Sequence, residues 1–200
     1  MMLPTHALAG LAVAVPLLWI APEFSTAALV GGFVGGVLPD LDMYAGHRRT
    51  LHYPILYPIV AVPLVGLAVV FTTTTTVGLA FVAVGAAVHC RMDIFGGGLE
   101  LRPWEGTSDR AVYDHVNRTW RMPRRWIAYD GSPKDLAVAF GIGVPLLVVL
   151  DGYFLILTAV CLFVATVYVV LRRRLAAIAP TVFRLVPDRF SAYVPDRYRE

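Results

Sequence analysis

Charge is scarce in this chain. Only 16% of its 200 residues are Asp, Glu, Lys or Arg, and 58% are hydrophobic. Soluble domains carry about a quarter charged residues, so the deficit excludes an ordinary soluble domain. Cysteine is scarce as well. Cys90 and Cys161 lie in or beside different apolar runs, and no disulfide framework follows from them. The first residues, Met1-Met2-Leu3-Pro4-Thr5-His6, lack the basic start of a secretory signal, so the first apolar run is expected to stay in the mature protein.

What is there in quantity is uninterrupted apolar sequence. Residues 7–20, 27–38, 55–71, 77–88, 136–150 and 153–171 contain almost no ionisable side chain. Segments facing lipid must satisfy their backbone internally, so these runs predict helices. Two of them, 55–71 and 153–171, approach the roughly 20 residues that span a hydrocarbon core. The others are shorter and fit a thinned bilayer or a partly re-entrant path. The expected fold class is all-α: a polytopic membrane bundle of about six helices. Residues 1–171 form a membrane-embedded domain with a loop at 96–135, and residues 172–200 a basic juxtamembrane tail.

Counting compartments alternately from the N-terminus puts residues 39–54, 89–134 and 172–200 on the first side. All 17 Lys and Arg fall there, and the opposite loops (21–26, 72–76, 151–152) have none. Basic loops mark the cytoplasm, so both termini are expected on that side. The same bias accounts for the formal charge of +3 without nucleic acid as a partner.

All five histidines share the basic side. Four short segments stand out there: Thr5-His6, Pro39-Asp40-Leu41-Asp42, His47-Arg48-Arg49-Thr50-Leu51-His52, and His89-Cys90-Arg91-Met92-Asp93. Each has a plain explanation as an interface residue, a turn former, a topogenic charge or a helical hydrogen bond. Four histidines and three aspartates gathered at one membrane face are harder to explain that way, because charges near hydrocarbon are costly and kept for function. Mixed imidazole and carboxylate ligation suits Zn²⁺, and also Mn²⁺ or Fe²⁺. His6, Asp40, Asp42, His47, His52, His89 and Asp93 are therefore the candidate ligands, enough for one or two ions. The pairs Gly31-Gly32 and Gly35-Gly36 would let neighbouring helices approach and draw the segments together. His115 has no partner motif and is left outside the site.

These segments resemble the LexA-binding, inner-membrane-associated family of metal-dependent hydrolases. The resemblance covers residues 1–105: His6, Pro39-Asp40-Leu41-Asp42, Gly46-His47-Arg48 with His52, and His89 to Asp93, followed by Gly96-Gly97-Gly98 and Leu101-Arg102-Pro103-Trp104. It departs at Leu51-His52-Tyr53, where the family usually shows Thr-His-Ser. The motif order is also similar to that of helical zinc phospholipases C, which cleave phosphoesters. The resemblance implies a metal-dependent hydrolase. In a catalytic site of this kind a bound water would be activated toward hydroxide, and a non-bridging carboxylate, Asp42, is the expected proton acceptor. Arg48 is open between stabilising an anionic transition state and merely setting topology.

Arg110, Arg118, Arg121, Arg124 and Arg125 accompany Trp120 and Trp126 in the loop. Interface anchoring and recognition of a lipid phosphate are both open for them. The tail repeats a Val-Pro-Asp-Arg-aromatic motif at residues 186–190 and 194–198, which suits anionic headgroups. A phosphoester hydrolase acting on a lipid or lipid-linked substrate is the leading expectation. A metal transporter or sensor, or a structural metal site in a membrane scaffold, are the alternatives. Transport fits less well, since its ionisable groups usually lie near the bilayer midplane.

Overall fold

A computed structural model describes residues 1–195 and residue 198; the Asp196-Arg197 part of the tail repeat lies outside the described residues. The leading apolar run is split in two. α1 (Leu3–Ala14) has Pro4 in its first turn, where no amide is needed. Pro16 separates it from the single turn α2 (Leu17–Ile20). α3 (Ser25–Val37) carries the glycine pairs and runs into a 3-10 segment, Leu38–Tyr44, that presents Asp40 and Asp42. α4 (Leu56–Val70) follows.

α5 (Thr74–Phe95) starts inside the threonine run. The Thr73 hydroxyl accepts from the Thr76 amide, and the Thr76 hydroxyl accepts from the Thr73 amide, a reciprocal cap. The run expected at 77–88 thereby becomes a helix of 22 residues. It continues through His89 and Asp93, which stand one turn apart on one face.

α6 (Pro133–Val149) begins at Ser132, whose hydroxyl accepts from the Asp135 amide. α7 (Gly152–Phe183) has 32 residues and continues through Arg172, Arg173 and Arg174. Its length is about 48 Å at 1.5 Å per residue. The boundary expected at residue 171 thus falls within a continuous helix.

Among the described residues, four segments are long and apolar enough to cross a membrane: Leu3–Ile20, Pro22–Tyr44, Thr74–Phe95 and Gly152–Phe183. α4 has 15 residues and α6 has 17. They reach about 23 and 26 Å, short of a hydrocarbon core of about 30 Å. Large apolar side chains on α4 and α7, among them Ile59, Val62, Val69, Phe163 and Val170, face outward. A lipid environment would accommodate such a surface.

The fold is helical but not purely so. In the loop, β1 (Val112–Asp114) pairs antiparallel with β2 (Thr119–Arg121). Asp114 closes the turn by accepting from the amides of Val116 and Asn117 and from the side chains of Asn117 and Arg121. Burial opposes the Asp114 charge, yet these donors hold its carboxyl below the usual range. Strands of three residues are too short to show an alternating pattern, so the sequence carried no signal for them.

The site is positioned by the contact of α1, α3 and α5, with α6 and α7 covering α1. Leu8, Leu11, Ala28, Leu29 and Val77 fill the core. The glycines of α3 make the contact possible. A Cβ on Gly36 would lie 2.5 Å from the His6 carbonyl oxygen, and one on Gly35 would overlap the Val82 carbonyl. Gly36→Ala is therefore expected to destabilise the protein by roughly 1–3 kcal/mol through overpacking. Gly66→Ala, on α4 with open space around it, should be neutral or stabilising. Thermal unfolding of both variants in detergent checks this.

Candidate metal centre

The end of α5 supplies two side chains. His89 and Asp93 are each 1% exposed and face the ends of α1 and α3. The His89 Nδ1–H donates to the Gly36 carbonyl at 2.7 Å. A carbonyl can only accept, so this bond puts the proton on Nδ1 and leaves the Nε2 lone pair free to point into the cluster. His52 is set in the same way. Its Nδ1 lies 2.9 Å from Asp42 Oδ2, so Nδ1–H donates and Nε2 faces inward.

His52 Nε2, His89 Nε2, Asp40 Oδ1 and Asp93 Oδ2 converge. Each imidazole nitrogen lies 3.3–3.6 Å from each carboxylate oxygen, and all four atoms fall within 4.8 Å of one another. Ligands 2.0–2.1 Å from a tetrahedral ion stand about 3.3–3.4 Å apart, so the spacing fits one divalent cation. His52 Nε2, His89 Nε2 and Asp93 Oδ2 are buried without a hydrogen-bond partner. Orphaned buried polar atoms are costly, and a cation would satisfy all three at once.

The remaining candidates stand around this group. Asp42 lies behind His52 and accepts four bonds, from the Arg48 and Leu51 amides and from Nδ1 of His47 and His52. It shapes the loop and fixes the His52 tautomer, the usual task of a carboxylate behind a metal-binding histidine. His47 Nδ1 is 3.1 Å from Asp42 Oδ1 and 3.9 Å from Asp40 Oδ1. Its side chain is 15% exposed, the most open of the group. His6 stacks on His89 with ring centroids 3.8 Å apart, and its Nε2 reaches Asp93 Oδ1 at 3.1 Å.

Arg48 turns inward. Its guanidinium donates to the Gly97 carbonyl at 2.8 Å and lies 3.3 Å from Asp93 Oδ1, which also accepts the Met1 amine at 2.6 Å. Burial opposes a charge on Arg48, but Asp93 together with Asp130, Asp40 and Asp135 outweighs it and raises its pKa. Arg48 also adopts a left-handed backbone with φ 58°, at a cost of about 1–3 kcal/mol. His52 balances in a similar way: burial disfavours its charge, while Asp42 and Asp93 lift its pKa. Protons and a cation would compete for that ring.

The hairpin holds the His47–His52 loop from outside. The Tyr113 amide donates to the Arg48 carbonyl at 2.9 Å. His115 Nε2–H donates to the Arg49 carbonyl at 2.6 Å, and its ring lies between those of Tyr53 and Tyr113.

Sequence reasoning passed over Asp135. This buried carboxylate accepts from the Met2 amide, the Thr5 hydroxyl and the Gly131 amide at 2.7–3.1 Å. It docks the first turn of α1, and with it His6, onto α6. A signal existed, since Ser132-Pro-Lys-Asp135 has the Ser-x-x-Asp capping pattern before an apolar run. Asp130 was missed too; it pairs with Arg172 at 3.2 Å and accepts from the Tyr168 hydroxyl at 2.6 Å. No local pattern announced it.

Comparison of the chain with protein-family models, curated proteins and solved structures returned no match.

The geometry separates two grades of effect. His89→Ala or Asp93→Asn removes a converging atom and should abolish stoichiometric Zn²⁺ binding. Asp42→Asn leaves the four atoms in place and should weaken binding about 10–100-fold. Metal titration by calorimetry on purified protein distinguishes these outcomes.

Proposed function

We propose that this protein is a membrane-embedded, metal-dependent hydrolase that cleaves a phosphoester of a lipid or lipid-linked substrate. The observation that carries the proposal is the convergence of Asp40 Oδ1, His52 Nε2, His89 Nε2 and Asp93 Oδ2, with each imidazole nitrogen 3.3–3.6 Å from each carboxylate oxygen and all four atoms within 4.8 Å of one another. Zn²⁺ fits this donor set, as do Mn²⁺ and Fe²⁺. Such an ion supplies Lewis acidity and a water acidified toward neutral pH. The resemblance to the inner-membrane hydrolase family supports the same chemistry through the same residues.

The chain's own groups divide the remaining work. Asp42 and the Gly36 carbonyl hold His52 and His89 in the tautomer that offers Nε2. Arg48 neutralises Asp93 and ties the loop to Gly97, which makes it a positioning residue. Asp40 is the converging residue nearest solvent, with its side chain 9% exposed beside His47. A substrate would enter from that side, where His47 is placed to exchange a proton.

The bundle crosses the membrane six times in this proposal, with the shorter α4 and α6 as spans and the metal centre facing the cytoplasm. The one-sided distribution of all 17 basic residues supports it. A reporter inserted at Gly106 should then be active in the cytoplasm and one at Asp151 outside it. The same compartment for both would remove the six-span topology.

A second function has a specific observation behind it. Four protein donors lie close enough to serve one ion, and an ion held tetrahedrally by all four would have no position for water, as in a structural site, whereas hydrolysis needs one position left to water. The deciding experiment loads purified protein with Zn²⁺, Mn²⁺ or Fe²⁺ and assays phosphodiester and phospholipid substrates in detergent. Hydrolysis that chelation abolishes, metal restores and His89→Ala lacks is the expected result. Bound metal without turnover of any substrate leaves the structural function. Wild-type protein that binds no metal ends both.

A further inference from the structure

α5 presents different chemistry on its outer face. Arg91 and Phe95 are one turn apart there, and Arg91 is exposed where His89 and Asp93 are buried. After the hairpin the chain returns to this face and is pinned to it. The amides of Arg124, Arg125 and Ile127 donate to the carbonyls of Ile94, Gly96 and Phe95 at 2.8, 3.1 and 3.1 Å.

That backbone pairing brings two guanidiniums to one ring. Arg91 lies 5.6 Å and Arg124 5.3 Å from the Phe95 centroid. Trp126 packs on Phe95 with centroids 4.6 Å apart and is itself 64% exposed. Arg124 also lies 5.9 Å from the Trp126 ring. Among the described residues neither arginine has a carboxylate partner, unlike Arg121 with Asp114, Arg102 with Glu105 or Arg172 with Asp130. Two exposed like charges share one aromatic ring where a 22-residue apolar helix ends.

We propose that Arg91 and Arg124, backed by Phe95 and Trp126, bind the headgroup phosphate of an anionic phospholipid. Arginine forks match phosphate oxygens, and aromatic rings orient the forks from behind. A lipid is the occupant, rather than a free phosphate, because exposed Trp126, packed on Phe95 and beside Arg124, adds apolar surface to the cations. Indole at the end of an apolar helix sits at headgroup depth. The site is on the opposite face of α5 from the metal centre and does not depend on it.

Native mass spectrometry of the full chain in detergent, titrated with phosphatidylglycerol and with phosphatidylcholine, tests this. Wild type should prefer phosphatidylglycerol. The R91Q/R124Q variant should lose roughly thirtyfold in phosphatidylglycerol affinity, at about 1 kcal/mol per arginine, and fall toward the phosphatidylcholine value. R102Q, which removes an arginine already paired with Glu105, should keep the preference, and all three proteins should bind Zn²⁺ alike. No wild-type preference overturns the proposal whatever the variants do. So does an equal loss in R102Q, which would mean a diffuse charge effect. Displacement of the lipid by millimolar inorganic phosphate would mean a free-anion site instead. Should the double variant fail to fold, R124Q alone carries the same comparison with a loss of about fivefold.

Discussion

Gly36 has no side chain, and two neighbours use the space. The His6 carbonyl of α1 comes close enough to exclude a Cβ, while the Gly36 carbonyl receives the Nδ1–H of His89 from α5. The approach repeats along α3, where a Cβ on Gly32 would overlap the Gly10 carbonyl and one on Gly35 the Val82 carbonyl. Three helix backbones can meet this closely only where side chains are missing from the contact. His6 and His89 stack because α1 and α5 are held against the same helix. Asp40 reaches His89, and Asp42 reaches His52, because α3 ends there. Wider helix spacing would leave four separate polar ends.

The second constraint is electrostatic. Asp42 and Asp93 are each 1% exposed and Asp40 is nearly as enclosed. Carboxylates removed from water need partners, and their distribution is informative. Asp42 is saturated by donors from its own loop. Asp93 divides its oxygens: Oδ1 faces Arg48, His6 and the Met1 amine, while Oδ2 faces His52 and His89. Oδ2 and the two Nε2 atoms lack hydrogen bonds, so three unsatisfied polar atoms meet at one point. The strain of Arg48 at φ 58° is offset there, because only the turned backbone brings its guanidinium to Asp93.

Much of the helical layout was legible beforehand, because apolar runs with no ionisable side chain allow few other structures near lipid. The lengths were less legible. α5 outgrew its apolar run at both ends, since Thr73 and Thr76 cap each other and the polar His89 and Asp93 are buried rather than exposed. α7 passed through Arg172–Arg174 because Arg172 found Asp130. The hairpin was invisible, being held by Asp114 and by bonds to Arg48 and Arg49 that no local pattern announces.

The chain's own order of residues determined which chemistry is present: imidazoles and carboxylates on the basic side, glycines in α3, and apolar runs between them. Spacing along a helix could also place His89 beside Asp93, since that relation is local. Division of labour among the seven candidates was decided only in three dimensions. Asp40 and Asp42 are two residues apart, yet Asp40 joins the converging group and Asp42 stands behind His52. That difference arises from the 3-10 path of Leu38–Tyr44 and from which amides and rings other segments bring to each carboxylate. Sequence specifies the donors, but their direction depends on partners 5 to 92 residues away.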